Sequence, residues 1–249
     1  MEQVTGKMRA AIERYHMVDP GDQIAVAVSG GKDSLALLWG LSKLSRYDAN
    51  RFSVIAITAD PCFGGQETDY SAVAALCGEL GVPYQIRRTA LGRLIFEERK
   101  EEKPCSLCAR MRRGILHNMA LEAGCNKIAL GHHWDDAVET FFLNLLYGGR
   151  IGCFSPKSYL SRKGLWMIRP MVFCGEEELA ALARRELLPV VKSRCPADGD
   201  TARQQAKELV LNLERDYPGL RARVLGAMQR AGIDGWSLEK GGFPRHGAL

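Results

Sequence analysis

No stretch of this 249-residue chain reaches the roughly 18 unbroken apolar residues that a membrane-crossing helix requires, so no membrane partner is expected. Residues 1–16 include Glu2, Lys7, Arg9, Glu13 and Arg14 and therefore lack the uncharged core of a secretory signal. These absences set the expectation of a soluble cytoplasmic protein. There is no internal repeat and no low-complexity tract, and 46% apolar residues fit neither a disordered nor a collagen-like chain. The length suffices for one large α/β domain, alone or with a small appendage.

A large excess of either charge is also missing. Lys and Arg number 34 against 29 Asp and Glu, and the net charge of +5 permits nucleic-acid binding without demanding it. Basic residues gather at Arg110, Arg112 and Arg113, at Arg162 and Lys163, at Arg184 and Arg185, and at Lys192 and Arg194, whereas 97–102 is mostly acidic. The 8 cysteines would suit a disulfide framework in a small secreted protein, which this chain does not resemble. Closely spaced ones point first to metal or redox chemistry.

Hydrophobic periodicity gives an alternating order. Residues 23–29 (QIAVAVS) read as a strand followed by an amphipathic helix over 34–44, and residues 52–59 (FSVIAITA) as a strand followed by a helix over 69–80. Residues 84–88 form a weaker third strand, and 127–131 (KIALG) lead into a helix over 135–147. Such alternation predicts an α/β fold, a parallel sheet with helices on both faces. Ligands of such sheets bind beyond the carboxyl ends of the strands, so the residues after Val28, Ala59 and Leu130 are expected to line one crevice. Past Gly148 and Gly149 the pattern loosens. Short strands are expected around 157–159 and 166–169, helices over 176–186, 201–216 and 220–231, and a loose tail over 241–249. The division this suggests is a core over 1–150 and a small, mainly helical C-terminal extension over 151–249 packed on it.

Ser29-Gly30-Gly31-Lys32-Asp33-Ser34 lies between the first strand and its helix. Two glycines let the backbone approach an anion, and the N–H groups opening the helix point at it, the dipole adding roughly 0.3–1 kcal/mol. Lys32 supplies a compact positive charge, and Ser29 and Ser34 supply hydroxyls. Asp33 beside an anion implies a divalent cation between them, Mg²⁺. The spacing matches neither the Walker A pattern nor the dinucleotide fingerprint. Instead, SGGKDS after a hydrophobic strand resembles the PP-loop signature of the ATP pyrophosphatase superfamily. That resemblance implies ATP cleaved between its α and β phosphates, hence adenylation with pyrophosphate as leaving group.

Gly131-His132-His133-Trp134-Asp135-Asp136 follows the fourth strand and is expected to face the same crevice. Paired carboxylates at a helix start suit its dipole and can hold a cation. The expected division gives Asp135 the helix cap and Asp136 the metal or substrate. The block resembles the GHHxDD motif of the tRNA-modifying branch of the superfamily. That resemblance implies a nucleotide site completed by Gly131, His132 and Asp60, the residue that ends the second strand.

Cys105 and Cys108 form a C-x-x-C pair ahead of an expected helix over 109–123, and the next plausible thiolate is Cys195. A lone C-x-x-C is open to zinc, thioredoxin-like redox and iron–sulfur readings. A redox pair normally follows a first strand, whereas this one follows an acidic connection deep in the chain. Structural zinc wants four ligands, and there is no second C-x-x-C and no close His pair except His132 and His133. The segment CSLCARMRRGIL, with GHHWDD and the later CPADGDTARQ, closely resembles the tRNA 2-thiocytidine synthetase (TtcA) family over about residues 23–229. The resemblance implies a [4Fe-4S] cluster on Cys105, Cys108 and Cys195. It leaves Arg110, Arg112, Arg113, Lys192 and Arg194 as a basic rim for tRNA. It also implies an ATP-dependent tRNA sulfurtransferase, with Asp33, Lys32 and Asp136 in the catalytic machinery and ATP on Ser29 to Ser34. The sulfur donor would be a cysteine desulfurase or inorganic sulfide, and a homodimer is compatible with it. The alternatives are a lysidine-type adenylating ligase, which leaves the cysteines unused, and a metal-binding RNA-binding or redox-sensing protein with a vestigial nucleotide site. Cys77 and Cys125 read as packed small hydrophobes, and Cys62, next to the crevice, as a candidate for sulfur handling.

Overall fold

The computed structural model describes residues 2–47, 52–99, 104–197 and 202–237. The tail expected over 241–249, residues 100–102 of the mostly acidic stretch and Thr201 lie outside the described residues. In chain order the elements are α1 (Glu2–Arg14), β1 (Gln23–Ala27), α2 (Lys32–Tyr47), β2 (Ser53–Asp60), α3 (Ser71–Glu79) and β3 (Tyr84–Arg88). Then come α4 (Leu91–Arg93), which widens into a π turn over Leu94–Glu98, followed by α5 (Pro104–Glu122), β4 (Lys127–Ala129) and α6 (Trp134–Gly148). Next are β5 (Lys157–Leu160), β6 (Leu165–Ile168), α7 (Glu176–Arg185), α8 (Ala202–Asp216) and α9 (Leu220–Arg230).

The strands form one sheet in the order β3-β2-β1-β4-β6-β5, parallel throughout except for β5, which pairs antiparallel with β6 at the edge. The chain moves from β1 outward to β2 and β3, then returns to place β4 on the other side of β1. The topological switch point therefore falls between β1 and β4, where an open α/β sheet leaves a crevice at its carboxyl edge. The sheet also crosses the boundary expected at residue 150, because β6 pairs with β4 through Ile128 and Met167.

Strand alternation sends successive residues of β1 to opposite faces. Ile24 and Val26 join Leu35, Leu38 and Leu41 of α2, Met8 of α1 and Leu179 and Leu182 of α7. Ala25, with Ile57 and Ile128, packs instead on Met119 and Ala120 of α5. Each such fully buried large side chain contributes about 1.5–3 kcal/mol, so the central strands are fixed from both sides. Helix α1 was not expected; its buried Val4, Met8, Ala11 and Ile12 recur at helical spacing and form the stripe that holds it to this core. The chain after α9 also returns to the interior. Trp236 is fully buried, lies edge-on to Tyr15 and donates its indole N–H to the Phe154 carbonyl at 2.7 Å.

Candidate functional site

The loop after β1 is built by its own serines. Ser34 Oγ donates to the Gly31 carbonyl at 2.8 Å and accepts from the Ser29 N–H at 3.1 Å, while Ser29 Oγ accepts from the Gly31 N–H at 3.3 Å. This ring holds the first turn of α2 open with its N–H groups facing the crevice, an anion nest. Gly30 sits at φ +88°, and a Cβ there would lie 2.9 Å from the Val191 Cβ. Only glycine meets both demands, and the closeness arises because the Val191 N–H donates to the Gly30 carbonyl at 2.9 Å.

Lys32 Nζ reaches Asp33 at 3.1 Å and Glu176, the first residue of α7, at 3.2 Å. Burial lowers the Lys32 pKa, but the two carboxylates outweigh it and the net displacement is upward, so the ammonium stays charged. Glu176 in turn accepts from Lys207 of α8 at 2.7 Å. The remaining oxygen of Asp33, Oδ1, is buried with no hydrogen-bond partner. An uncompensated carboxylate oxygen beside a phosphate nest fits a Mg²⁺ ligand.

The carboxyl end of β4 completes the crevice. Gly131 lies so close to the loop that a Cβ would meet the Ser34 nitrogen at 3.2 Å. The expected split between the two aspartates is corrected: His133, not Asp135, caps α6. Its side chain accepts from the Asp136 N–H, and Asp136 Oδ2 accepts from the His133 N–H at 3.0 Å, a reciprocal capping pair. Asp135 is buried and ties three elements together, accepting from the Glu176 N–H at 2.8 Å and from Arg221 of α9 at 2.8 Å. Desolvation pushes its pKa up, but His133, the Glu176 N–H and Arg221 pull it below the usual carboxylate range. Burial likewise opposes the charged form of His133, but Asp135, Asp136 and Asp33 raise its pKa overall. The free oxygen of Asp136 pairs with Arg203 of α8 at 3.1 Å.

Asp60 ends β2 and is engaged by the chain around it. It has no exposed surface, and its oxygens accept from the N–H groups of Cys62 at 3.1 Å and Thr68 at 2.9 Å, and from Arg88 at 3.3 Å. These bonds make Asp60 the organiser of the 61–68 loop that walls the crevice. Cys62 lies on that loop at φ +50° and lines a separate hollow of about 350 Å³ with Arg88 and Arg93.

The C-x-x-C pair lies inside the first turn of α5 rather than ahead of it, with Cys105 exposed and Cys108 buried one turn on. Burial raises the Cys108 pKa, the Arg112 charge lowers it, and Cys195 and Cys105 both raise it. The three thiols thus share one electrostatic neighbourhood although Cys195 arrives from beyond α7. Among the described residues no three Cys, His, Asp or Glu side chains converge closely enough to ligate one ion. A four-iron cube takes its three cysteines on three different irons, so it needs a wider set, and an all-sulfur donor set suits it.

A cavity of about 260 Å³ lies beside the phosphate loop. Its wall includes Ser29 and Gly31 of the loop, Thr68, Arg112 of α5, and Val191 to Arg194, the segment that leads into Cys195. Arg112 Nε is buried without a partner, which leaves a donor for an incoming ligand. Lys192 is exposed at the rim, and Arg110 and Arg113 are exposed on α5. Arg194 is also exposed, and it donates to the Gln66 side chain and the Glu67 carbonyl, which ties this wall to the 61–68 loop. Glu176, Glu139, Arg169, Arg203, Lys207 and Arg221 were not singled out from sequence. Arg169 alone carried a signal, since it ends an expected strand, and the carboxyl ends of such strands face the crevice.

Nest, switch-point crevice and parallel sheet define a PP-loop protein, and the PP-loop domain family matches residues 2–214. A tRNA-cytidine(32) 2-sulfurtransferase of Syntrophotalea carbinolica is 42% identical, covering 92% of this chain and 87% of its own. The protein of that name from Geobacter metallireducens is 38% identical over 88% of this chain and 85% of its own. The chain belongs to the tRNA-cytidine(32) 2-sulfurtransferase family. Its fold is shared with the U34-tRNA thiolase NcsA from Methanococcus maripaludis, a structure containing a [4Fe-4S] cluster, at TM-score 0.73 and 24% identity, covering 92% of this chain and 78% of that one.

Proposed function

We propose that this protein uses ATP to adenylate the C2 oxygen of an anticodon-loop cytidine, at position 32 as in the names of its relatives, and replaces that oxygen with sulfur. The observation that carries this reading is the shared cavity, whose wall includes both the phosphate nest and the segment running into Cys195. A nucleobase placed there lies against the nest and against the segment that leads into Cys195.

The N–H groups opening α2 and the Lys32 ammonium hold the triphosphate, Lys32 exchanging Glu176 for phosphate oxygens. Asp33 Oδ1 would hold Mg²⁺ against them. Cys105, Cys108 and Cys195 would hold a [4Fe-4S] cluster, which when bound supplies an iron lacking a protein ligand as a place to keep sulfide. Lys192 and the exposed Arg110 and Arg113 attract the RNA backbone, and Arg112 offers its unused donor inside the cavity. A loop base is splayed into such a pocket at less cost than a base in a duplex. The C2 oxygen attacks the α-phosphorus and pyrophosphate leaves; sulfide then adds at the activated carbon and AMP departs, with no net electron transfer. Sulfur reaches the enzyme in the cytoplasm as inorganic sulfide, or from a cysteine desulfurase whose persulfide sulfur is first reduced to sulfide by two electrons from an external thiol.

Mass spectrometry of tRNA nucleosides from cells lacking the gene tests this reading. Loss of 2-thiocytidine, restored by the wild-type gene and not by Cys105→Ala, is expected. Undiminished 2-thiocytidine in the deletion strain refutes it.

A further inference from the structure

Arg169 follows β6 and is 5% exposed, yet no carboxylate pairs with it among the described residues. Its Nε–H donates to His132 Nδ1 at 3.3 Å, its Nη1 donates to the Ser155 carbonyl, and Nη2 lies 3.7 Å from the Met167 sulfur. The guanidinium stands 4.8 Å from the Phe154 ring, and the His132 ring lies 5.0 Å from the same ring. Phe154 is backed by Trp236 at 6.0 Å, so the stack has a rigid floor.

A guanidinium has donors and no acceptor. The nitrogen of His132 that faces it must therefore offer a lone pair, and in a neutral imidazole the proton then sits on Nε2. Protonating Nδ1 would set one N–H against another beside a buried cation. We infer that Arg169 is a positioning residue that fixes His132 as the neutral Nε2–H tautomer, making His132 a dedicated hydrogen-bond donor to a substrate oxygen in the crevice. What His132 serves rests on the adenylation reading above; the tautomer lock does not. The remaining charged and titratable groups facing His132 are His133, Asp136 of α6 and Arg203 of α8, while Arg113 of α5 and Cys153 act on Arg169. Burial and Arg169 together push the His132 pKa down to about 3, so the imidazole is neutral across the physiological range. A neutral imidazole suits a donor that must not compete with Mg²⁺ or Lys32 for phosphate charge.

Nitrogen NMR of ¹⁵N-histidine-labelled protein tests the lock, with the His132 ring assigned by its disappearance in His132→Gln. The wild type should show Nδ1 bare and Nε2 protonated, unchanged from pH 6 to 8. Arg169→Met should give a mixture of tautomers with a His132 pKa above that of the wild type, burial still holding it below the ordinary histidine value, and Arg169→Lys, which keeps a donor, should restore the lock. An unchanged resonance of the buried His117 on α5 identifies a folded variant. A protonated Nδ1 in the wild type, or an unaltered tautomer in Arg169→Met, overturns the inference. Pyrophosphate release from ATP and tRNA should fall on the order of 10²-fold in His132→Gln, as for loss of one preorganised donor. An unchanged rate there overturns the donor role. A wild type that releases no pyrophosphate at all would sink the adenylation reading, while the NMR arm would still decide the lock.

Discussion

Glu139→Gln offers a quantitative check on the electrostatics of the crevice. Glu139 is 7% exposed on α6, one turn beyond Asp136, and its nearest cation is Arg203 at 4.0 Å. Desolvation, reinforced by the Asp136 charge, raises its pKa from 4.5 to about 7 against the pull of Lys207, Arg203 and His133. At 1.36 kcal/mol per pH unit, that displacement corresponds to about 3 kcal/mol of difference between the protonated and ionised forms. The folded state holds this proton more tightly than the unfolded chain. The associated stability is therefore fully present below pH 4.5, declines as pH rises, and is gone above about pH 7. Glutamine mimics the protonated carboxyl at every pH. In urea titrations the wild type should lose about 3 kcal/mol between pH 4.5 and 8 relative to Glu139→Gln, and the variant should be the more stable protein at pH 8. Parallel stability profiles for the two proteins over that range would show that Glu139 titrates normally and would refute the reasoning.

Removing the carboxylate in Asp33→Ala should lower pyrophosphate release by about 10²–10³-fold, measured with a coupled pyrophosphatase assay; an unaltered rate would take the loop out of the chemistry. Anaerobically purified wild type should be brown with about four irons per chain, and Cys105→Ala, Cys108→Ala and Cys195→Ala should each lose colour and iron together. Retention of iron in Cys195→Ala would remove the third thiol from the ligand set. Gly30→Ala forces an L-residue into a left-handed conformation, at about 1–2 kcal/mol, and presses a methyl group onto Val191 at a further cost of about 1–3 kcal/mol. A urea midpoint equal to that of the wild type would mean that the 191–194 segment is not held on the loop as described.

The motifs were legible because each is local. SGGKDS and GHHWDD carry strand, turn and helix start within a few residues, and the switch-point rule then places them together. What was not legible depends on partners far away in the chain. Asp60 looks like a free carboxylate until Arg88 from the neighbouring strand and the 61–68 loop engage it. Asp135 looks like a cap until Glu176 and Arg221 claim both its oxygens. Helix α1 went unrecognised because its stripe becomes evident as structure only through the core it covers. The boundary at residue 150 followed a real change in pattern, the shift from regular alternation to short strands, but hydrogen bonding across the sheet ignores it. The basic rim was expected as a set of equivalents, and the structure separates them: Arg112 turns a buried donor into the cavity while Arg110, Arg113, Lys192 and Arg194 stay exposed.

The single hydrogen bond from Val191 to Gly30 has a thermodynamic consequence. It fastens the peptide that carries the third thiol to the peptide that receives phosphate, so ordering either one lessens the entropy lost in ordering the other. If Cys195 holds the cluster as proposed, nucleotide affinity and cluster retention should be linked quantities, each raising the other by the same factor. A chain stripped of its metal should bind ATP more weakly, and saturating ATP should slow the loss of iron to a chelator.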